Sequence, residues 1–289
     1  MEFAGRLAVV TGGATGMGRE LVLQLSAEGC SVALCDVSNE AQVQRFRDEV
    51  VEQQGRDHIN LLFNNAGLAG GGSFVVGKRE EWEKCFGVCW GGVYNCSRAF
   101  VPLLVASDQG YIVNTSSVNG FWASLGPGIP HTAYSSAKFA VKGFTEALME
   151  DFKVNAPHVQ AAVVMPGHIG TDIVLNTRKL QGLDPNGMTA EEIAEIRASV
   201  AQRGIPLDGV SDEDLAKMVT MMGESFRDNA PTSAAQAATI ILDAVKANQW
   251  RILVGDDAVA LDEAVRSDPE RAYAADGPTL SSITAFGPQ

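Results

Sequence analysis

The chain has 289 residues, of which 46% are hydrophobic and 20% are charged, and its formal net charge at pH 7 is −13. This length and apolar content suit one large α/β domain, or two small ones, with a fully buried core. The excess of negative charge argues against nucleic acid and anionic membrane surfaces as the main partners.

Neither a targeting segment nor a membrane span is expected. Leu7–Val10 is too short for the apolar region of a signal peptide, and no run approaches 18 apolar residues. The five cysteines form an odd set without a Cys-x-x-Cys pair, which is typical of a reducing cytosol. We therefore expect a cytoplasmic protein with buried thiols, no metal site and small molecules as its ligands.

Apolar runs and helical segments alternate along the chain, which predicts a doubly wound α/β fold with a parallel sheet covered by helices on both faces. No repeat, linker or low-complexity tract divides the chain, so a single domain over residues 1–289 is predicted. Strands are predicted at Arg6–Thr11, Ser31–Asp36, Ile59–Phe63, Tyr111–Thr115, Val159–Met165 and Trp250–Val254. Helices are predicted at Glu20–Glu28, Glu80–Val105, Ala133–Lys153 and Ala234–Ala247.

A glycine-rich turn follows the first predicted strand. Gly12, Gly16 and Gly18 lack a Cβ, so backbone N–H groups can approach a pyrophosphate there. The helix that follows adds the positive end of its dipole. The turn alone also fits an ordinary strand-to-helix connection, and the downstream residues decide between the two readings.

Polar or glycine-containing segments follow the other predicted strands. Asp36 ends the second strand, Asn64–Gly67 follows the third, Ser116–Ser117 the fourth and Pro166–Gly167 the fifth. In doubly wound sheets, ligands bind outside the carboxyl ends of the strands. These segments therefore predict one shared binding crevice.

Tyr134 and Lys138 stand at i and i+4 and so share one face of a predicted helix. A phenol titrates near pH 10, and an adjacent ammonium group stabilises the phenolate, which predicts a lowered pKa for Tyr134. Ser117, at the end of the preceding strand, can hydrogen-bond a substrate oxygen. Such a Tyr-x-x-x-Lys spacing also arises by chance on exposed helices, whereas the order of all these segments is much more specific.

Taken together, the segments resemble the classical short-chain dehydrogenase/reductases over about residues 5–255, which implies a Rossmann-type fold. Thr11–Gly18 is similar to their cofactor turn, and Asn64–Gly67 to the motif that steadies the sheet beside the adenosine. Ile112–Ser117 is similar to the strand that carries their catalytic serine, here aligned with Ser117. Pro166–Thr171 is similar to the segment that faces the nicotinamide.

The resemblance implies hydride transfer between a nicotinamide cofactor and a secondary alcohol or ketone. Tyr134 would move the hydroxyl proton, Ser117 would stabilise the developing oxyanion, and Lys138 would hold the nicotinamide ribose. A homo-oligomer, either a dimer or a tetramer, is also expected. The resemblance also implies a set of cofactor-binding residues: Gly12, Gly16, Met17, Gly18, Asp36, Asn65, Ala66, Gly67, Tyr134, Lys138, Gly167, Ile169 and Thr171.

Asp36 predicts the choice of cofactor. It lies where a ribose-binding carboxylate is expected after the glycine turn, and a carboxylate there binds both ribose hydroxyls and repels a 2′-phosphate. NAD is therefore expected rather than NADP. The alternative is a strand-end aspartate that caps the next helix.

The sequence departs from the family pattern at two places. Only residues 37–63 separate Asp36 from Asn64, as if one helix–strand unit were missing; the sheet can then lack one edge strand, with one helix near Glu40–Gln54 crossing to the next strand. The adenine pocket would lose a wall. Cys89 stands where the family pattern has an asparagine that helps to hold a water linking the lysine to solvent, and a thiol is a poor substitute.

Two segments are expected to close the substrate end of the crevice. They are Val118–Ala133, with Phe121, Trp122, Leu125 and Ile129, and a longer lid at about residues 171–231. The lid is expected to supply apolar walls from Ile173, Leu175, Leu180, Met188, Met218, Met221, Met222 and Phe226, although ordinary helix packing also explains the methionines. His131 and His168 border the site, as loop residues rather than as catalysts.

Three functions remain open at this point. The first is an NAD-dependent oxidoreductase acting on an apolar secondary alcohol or ketone. The second is a non-catalytic dinucleotide-binding sensor or scaffold, which Cys89 and the short connection favour and which Ser117, Tyr134 and Lys138 oppose. The third is an epimerase or dehydratase that recycles its NAD, which the compact glycine turn fits less well.

Overall fold

The architecture is a parallel sheet flanked by helices, seen in a computed structural model that describes residues 1–35, 37, 39–180, 188–202, 206–207 and 209–280. The strands are β1 (Leu7–Thr11), β2 (Ser31–Cys35), β3 (Leu61–Asn64), β4 (Gly110–Thr115), β5 (Val159–Pro166), β6 (Ile169–Gly170), β7 (Thr232–Ser233) and β8 (Arg251–Val254). The helices are α1 (Gly16–Ala27), α2 (Glu40–Gln54), α3 (Arg79–Phe86), α4 (Gly92–Val105), α5 (Thr132–Asn155), α6 (Ile173–Leu180), α7 (Ala190–Gln202), α8 (Asp212–Asp228), α9 (Ala234–Lys246) and α10 (Asp256–Ser267).

The main sheet has the order β2-β1-β3-β4-β5-β8, and all of its pairs are parallel. The chain moves outward from β1 to β2, returns to β3, and then continues in the opposite direction. This reversal between β1 and β3 opens the crevice at which doubly wound folds bind ligands. The predicted fold class is confirmed.

Alternate residues of each buried strand face opposite layers of helices. On β1, Ala8 and Val10 join the cluster that contains Leu21 of α1 and Ile241 of α9, whereas Val9 joins the cluster on the other face. Strand side chains alternate with a period of two, so a strand covered on both faces needs a continuous apolar run. This requirement explains why the strands were predicted to within two residues at each end.

β2 is an edge strand of this sheet. It pairs with β1, and the single helix α2 carries the chain from it to β3. No strand lies outside β2 among the residues that the structure describes. As predicted from the short connection between Asp36 and Asn64, the described sheet has no further edge strand beyond β2. A single helix crosses to β3, and its bounds are those predicted for it.

The helix predicted at Glu80–Val105 is continuous but not uniform. α3 and α4 are joined by a π-helical turn at Gly87–Gly91. A π turn contains one residue more than an α turn, and such turns occur frequently at functional sites. Cys89 lies in this turn and is fully buried.

The segment at residues 171–231, predicted to be a lid, contains α6, α7 and α8, and the short strands β6 and β7 flank it and pair as a separate two-stranded sheet. An ion pair between Arg178 and Glu192 (3.1 Å) connects α6 to α7, and the Cα of Gly223 on α8 leaves room for Leu175 of α6. None of the described helices is long and apolar enough to span a bilayer.

Candidate active site

A cavity of about 350 Å³ opens at the carboxyl ends of the central strands. The glycine turn borders it at one end, and the lid and the Val118–Ala133 segment border it at the other. Asp36 lies outside the described residues. Four of the predicted residues lie beside the cavity: Gly12, Gly16 and Gly18 in the glycine turn, and Ala66 in the adjacent Asn64–Gly67 segment. The predicted site residues that line the cavity are Met17, Asn65, Gly67, Ser117, Tyr134, Lys138, Gly167, Ile169 and Thr171.

The glycine turn is too tightly packed to accept side chains. Gly12 has φ +65°, and a Cβ there would lie 2.9 Å from the Cα of Ala66. A Cβ on Gly18 would overlap the carbonyl oxygen of Gly12 and lie 2.5 Å from Nδ2 of Asn65. The turn and the first residues of α1 thus form a cradle of bare backbone at the N-terminus of the helix, which fits the pyrophosphate of a dinucleotide.

Thr11 fixes the segment that faces this cradle. Its Oγ1 accepts hydrogen bonds from the backbone N–H groups of Asn65 (2.9 Å) and Ala66 (3.0 Å) and donates to the carbonyl of Phe63 (3.3 Å). Nδ2 of Asn65 donates to the carbonyl of Thr11, which leaves Oδ1 of Asn65 buried without a partner among the described residues. An unsatisfied acceptor beside the cradle is a second feature that a bound dinucleotide can satisfy.

The two serines after β4 have different environments. Ser116 Oγ donates to the carbonyl of Lys138 (2.7 Å), so it fixes α5 against the sheet. Ser117 Oγ accepts from the backbone N–H of Asn119 (3.1 Å) and also hydrogen-bonds the Tyr134 side chain. Ser117 therefore contacts the Tyr134 phenol, and its position on the cavity wall is compatible with a hydrogen bond to a ligand oxygen.

Tyr134 and Lys138 project from the first turns of α5 into the cavity. The Nζ atom of Lys138 donates to the carbonyl of Thr115 (2.8 Å) and lies 5.4 Å from the centroid of the Tyr134 ring. Burial lowers the pKa of the Lys138 ammonium, and nearby thiol groups oppose this effect. The lysine is 2% exposed, so its remaining N–H groups need partners inside the cavity.

The predicted lowering of the Tyr134 pKa is wrong for the protein without a ligand. Burial raises the pKa of Tyr134 above its usual value near 10, and the hydrogen bond with Ser117 only partly offsets this. The reason is that burial desolvates the phenolate, and the neighbouring Cys89 and Cys85 raise the pKa further. Tyr134 is therefore a protonated phenol at neutral pH.

Cys85 and Cys89 form a buried pair behind Lys138. A hydrogen bond from the Cys85 thiol and the Lys138 ammonium lower the pKa of Cys89, whereas that of Cys85 is raised. Gly67 lies against both groups: a Cβ placed on it would be 3.6 Å from Lys138 Nζ and 3.8 Å from Cys89 Sγ, which is ordinary contact distance. The sequence predicted buried thiols and gave no sign of their proximity to Lys138.

Replacing Cys89 with asparagine should keep or raise kcat, because an amide hydrogen-bonds better than a thiol. The Sγ atom now lies 3.3 Å from the carbonyl of Leu68, which an amide Nδ2 can also reach. Steady-state turnover of Cys89→Asn is the measurement, and Cys89→Ala, which adds no polar group, is the matched control. A Cys89→Asn protein that folds and binds NADH but has no activity would contradict the prediction.

Asp257, which the sequence analysis missed, holds the Pro166–Gly167 segment. Its Oδ2 accepts from the backbone N–H of His168 (2.6 Å). A Cβ on Gly167 would overlap this oxygen and lie 2.5 Å from the carboxyl carbon, so only glycine fits beneath the carboxylate. Asp257 follows Gly255 at the carboxyl end of β8, and the rule that ligands bind at strand ends could have indicated it.

The substrate end is walled by fewer residues than predicted. Met218, Met221 and Met222 are 47–63% exposed on α8 and do not line the cavity. Trp122 is buried in a separate cluster, where its Nε1 donates to the carbonyl of Ala272 (2.7 Å), and Ile129 borders a second cavity of about 400 Å³. The apolar residues that do form the wall are Val118, Leu125, Ile173, Val174, Phe226 and Leu280.

Comparison with protein families identifies the chain. The short chain dehydrogenase family matches residues 33–182, which is just over half of the sequence. The chain belongs to the short-chain dehydrogenase family. It is therefore a member of a family of oxidoreductases, and the match begins after the glycine turn.

Relatives support the same assignment along more of the chain. SadH of Mycobacterium tuberculosis is 34% identical over 207 residues, which cover 63% of this chain and 74% of SadH. The meso-2,3-butanediol dehydrogenase of Serratia marcescens is 33% identical over 175 residues, covering 52% of this chain and 67% of that enzyme.

A solved short-chain dehydrogenase/reductase from Burkholderia phymatum, in complex with NAD, matches with a TM-score of 0.71 and 26% identity over 96% of this chain and 99% of that one. A second structure, a short-chain dehydrogenase from Burkholderia cenocepacia in complex with NADP, has the same fold at 21% identity and a TM-score of 0.64, over 93% of this chain and 96% of that one. The short-chain dehydrogenase fold accommodates either dinucleotide, so the fold alone does not select one.

Proposed function

We propose that the protein is an NAD(H)-dependent oxidoreductase that interconverts a ketone and a secondary alcohol with an apolar body. The observation that carries the proposal is that Ser117, Tyr134 and Lys138 line one cavity, whose other end meets the glycine cradle at Gly12–Gly18. The bound nicotinamide would supply or accept the hydride.

The chain's own residues would handle the proton and the oxygen. Ser117 would donate a hydrogen bond to the substrate oxygen, and Tyr134, a phenol at neutral pH, would donate its proton to that oxygen during reduction. The Lys138 ammonium, fixed by the Thr115 carbonyl, would hold the cofactor ribose and stabilise the phenolate that remains. Asp257 would keep the Pro166–Gly167 segment against the nicotinamide end.

Asp36 is the basis for proposing NAD. It directly follows Cys35, which pairs with Thr11 in the sheet and so lies level with the start of the glycine turn. In the sequence pattern that Asp36 matches, a carboxylate after the second strand binds the ribose hydroxyls and repels the charge of a 2′-phosphate. The missing edge strand would weaken the binding of both NAD(H) and NADP(H), and NAD(H) would still bind more tightly.

NADH should therefore bind more tightly than NADPH. Asp36→Ala should reduce the difference between the two affinities, mainly by weakening the binding of NADH. Fluorescence titration with each reduced cofactor measures both affinities. Asp48→Ala is a suitable control, because Asp48 is an exposed carboxylate on α2 paired with Arg47. Tighter binding of NADPH by the unmodified protein would contradict a ribose-binding role for Asp36; α2 itself is capped by Asn39, whose Oδ1 accepts from the backbone N–H of Gln42 (3.2 Å).

The activity itself is tested by a screen of ketones and secondary alcohols in which the absorbance of NADH is followed. Turnover of an apolar ketone is the expected result. A protein that binds NADH but turns over none of these compounds would support the alternative, a dinucleotide-binding sensor or scaffold.

The lid, the assembly and the location are part of the same proposal. Residues 171–231 would cover the substrate end, since Thr177 on α6 accepts a hydrogen bond from the backbone of Ala69 beside the cavity (2.9 Å).

A homo-oligomer, a dimer or a tetramer, is supported by the half-exposed aromatic rings of Tyr94 and Phe139 on α4 and α5. The cysteine pattern supports a cytoplasmic location.

A further inference from the structure

His168 is held from two sides at the substrate end of the cavity. Its backbone N–H donates to Asp257, and its Nε2 lies 2.6 Å from the carbonyl oxygen of Phe226 on α8. The imidazole ring also packs on the Phe226 ring, with the ring centroids 4.1 Å apart. The residue is 5% exposed and lines the cavity together with Ser117 and Tyr134.

The contact with Phe226 determines which nitrogen of His168 is available. A carbonyl oxygen only accepts hydrogen bonds, so Nε2 must carry a hydrogen atom. In the neutral ring, Nδ1 is then an acceptor. It is buried and has no partner among the residues that the structure describes. A buried acceptor without a donor is costly, and a ligand or a water can supply the missing hydrogen bond.

The rest of the cavity limits what that ligand can be. Among the described lining residues, Lys138 is the one fixed cation, and the proposed function assigns its remaining N–H groups to the cofactor ribose. Burial lowers the pKa of His131, the other lining histidine, to about 4, so this ring is neutral. Most of the other lining residues at this end are apolar, and Asn119 and Thr171, which also line the cavity, carry no charge. A carboxylate or phosphate would have no dedicated partner here, whereas a neutral molecule with one hydroxyl group would.

We propose that His168 determines specificity by accepting, at Nδ1, a hydrogen bond from a hydroxyl group of the substrate. The preferred substrate is then a neutral hydroxyketone, or the corresponding diol, rather than a simple ketone. This inference rests on the proposed oxidoreductase function and adds the substrate class to it.

The test compares 2-octanone with 1-hydroxy-2-octanone and 4-hydroxy-2-octanone, each with NADH. The unmodified protein should reduce one of the hydroxyketones with a kcat/KM roughly tenfold higher than that for 2-octanone, as one hydrogen bond predicts. An equal kcat/KM for all three ketones would overturn the inference and leave the oxidoreductase function intact.

Two variants separate the nitrogen atoms of the ring. His168→Asn places an amide near the position of Nδ1 and should keep most of the preference. His168→Gln reaches the position of Nε2, so it can retain the Phe226 contact but should lose the preference. His158→Gln is the matched control, since the Nε2 of His158 also contacts a backbone carbonyl, that of Val105 (2.9 Å), before the start of β5. If His168→Gln lowers kcat/KM equally for all three ketones, the residue is structural and the inference fails.

A binding measurement decides the inference without turnover. The chain has four histidines, and ¹⁵N-histidine spectra of the protein with NAD, with His168→Asn for assignment, follow the Nδ1 resonance during titration. It should shift with the favoured hydroxyketone and not with 2-octanone. Absence of turnover together with this shift would reject the proposed function and retain the binding role of His168. Absence of the shift would reject that role.

Discussion

Tyr134→Phe should lower kcat by roughly 10²–10⁴-fold and leave NADH binding nearly unchanged. The phenol is the group that the Ser117 side chain contacts in the cavity, and Lys138 Nζ lies 5.4 Å from the centre of its ring. The substitution removes the proton donor while keeping the ring that packs 4.7 Å from that of His131. Single-turnover and steady-state rates, with NADH affinity measured in parallel, give the result.

The direction in which the rate of alcohol oxidation changes with pH is a second test of the role of Tyr134. Because burial raises the Tyr134 pKa above 10, the phenolate needed to oxidise an alcohol is scarce at pH 7 and increases about tenfold per pH unit below that pKa. Alcohol oxidation should therefore rise from pH 7 to pH 10, and Tyr134→Phe should abolish this rise. Tyr111→Phe is the control, since Tyr111 is a buried phenol that donates to the Gln249 carbonyl at the opposite end of the sheet. Near-normal turnover by a folded Tyr134→Phe protein would remove Tyr134 from the mechanism.

Gly18→Ala should weaken NADH binding by roughly 100-fold. The new Cβ would overlap the Gly12 carbonyl and approach Asn65 Nδ2 to 2.5 Å, so the backbone of the cradle would have to move. Overpacking against atoms that cannot move aside typically costs about 1–3 kcal/mol. Fluorescence titration measures the affinity, and thermal unfolding shows whether the fold persists.

Gly143→Ala provides the contrast for Gly18→Ala. Gly143 is an exposed residue inside α5, and its Cβ would meet nothing within 4 Å. Alanine is favoured over glycine in a helix by about 1 kcal/mol, so this protein should be slightly more stable and bind NADH normally. Equal NADH affinities for the two variants would show that the glycine turn does not contact the cofactor.

The sheet could be predicted from the sequence because its signals are local. The Leu7–Thr11 strand is a continuous apolar run, and the short segment between Asp36 and Asn64 has room for one helix only. Neither inference needs a contact between distant residues. The roles predicted for Ser117, Tyr134 and Lys138 stay predictions, although the structure brings the three residues to one cavity.

The parts of the site that could not be predicted depend on burial or on long-range contacts. The Tyr134 pKa was predicted to fall because the sequence shows the lysine and not the desolvation. Asp257 and His168 meet although 89 positions separate them. The sequence leaves the methionines of α8 open between a cavity wall and ordinary helix packing, because composition does not show which side of a helix faces inward, and Met221 is 63% exposed.

The position of β2 at the edge of the sheet has a consequence for which changes the sheet can accommodate. In a parallel sheet each strand bonds only to its immediate neighbours, so an outermost strand can be gained or lost with its crossover helix without changing the register of those that remain. In this sheet, β4 pairs with β3 and β5, and none of these three strands pairs with the edge strand β2. They are the strands that position Ser117, Tyr134 and Lys138. A change at the β2 edge of this sheet therefore leaves the register of β3, β4 and β5 as it is.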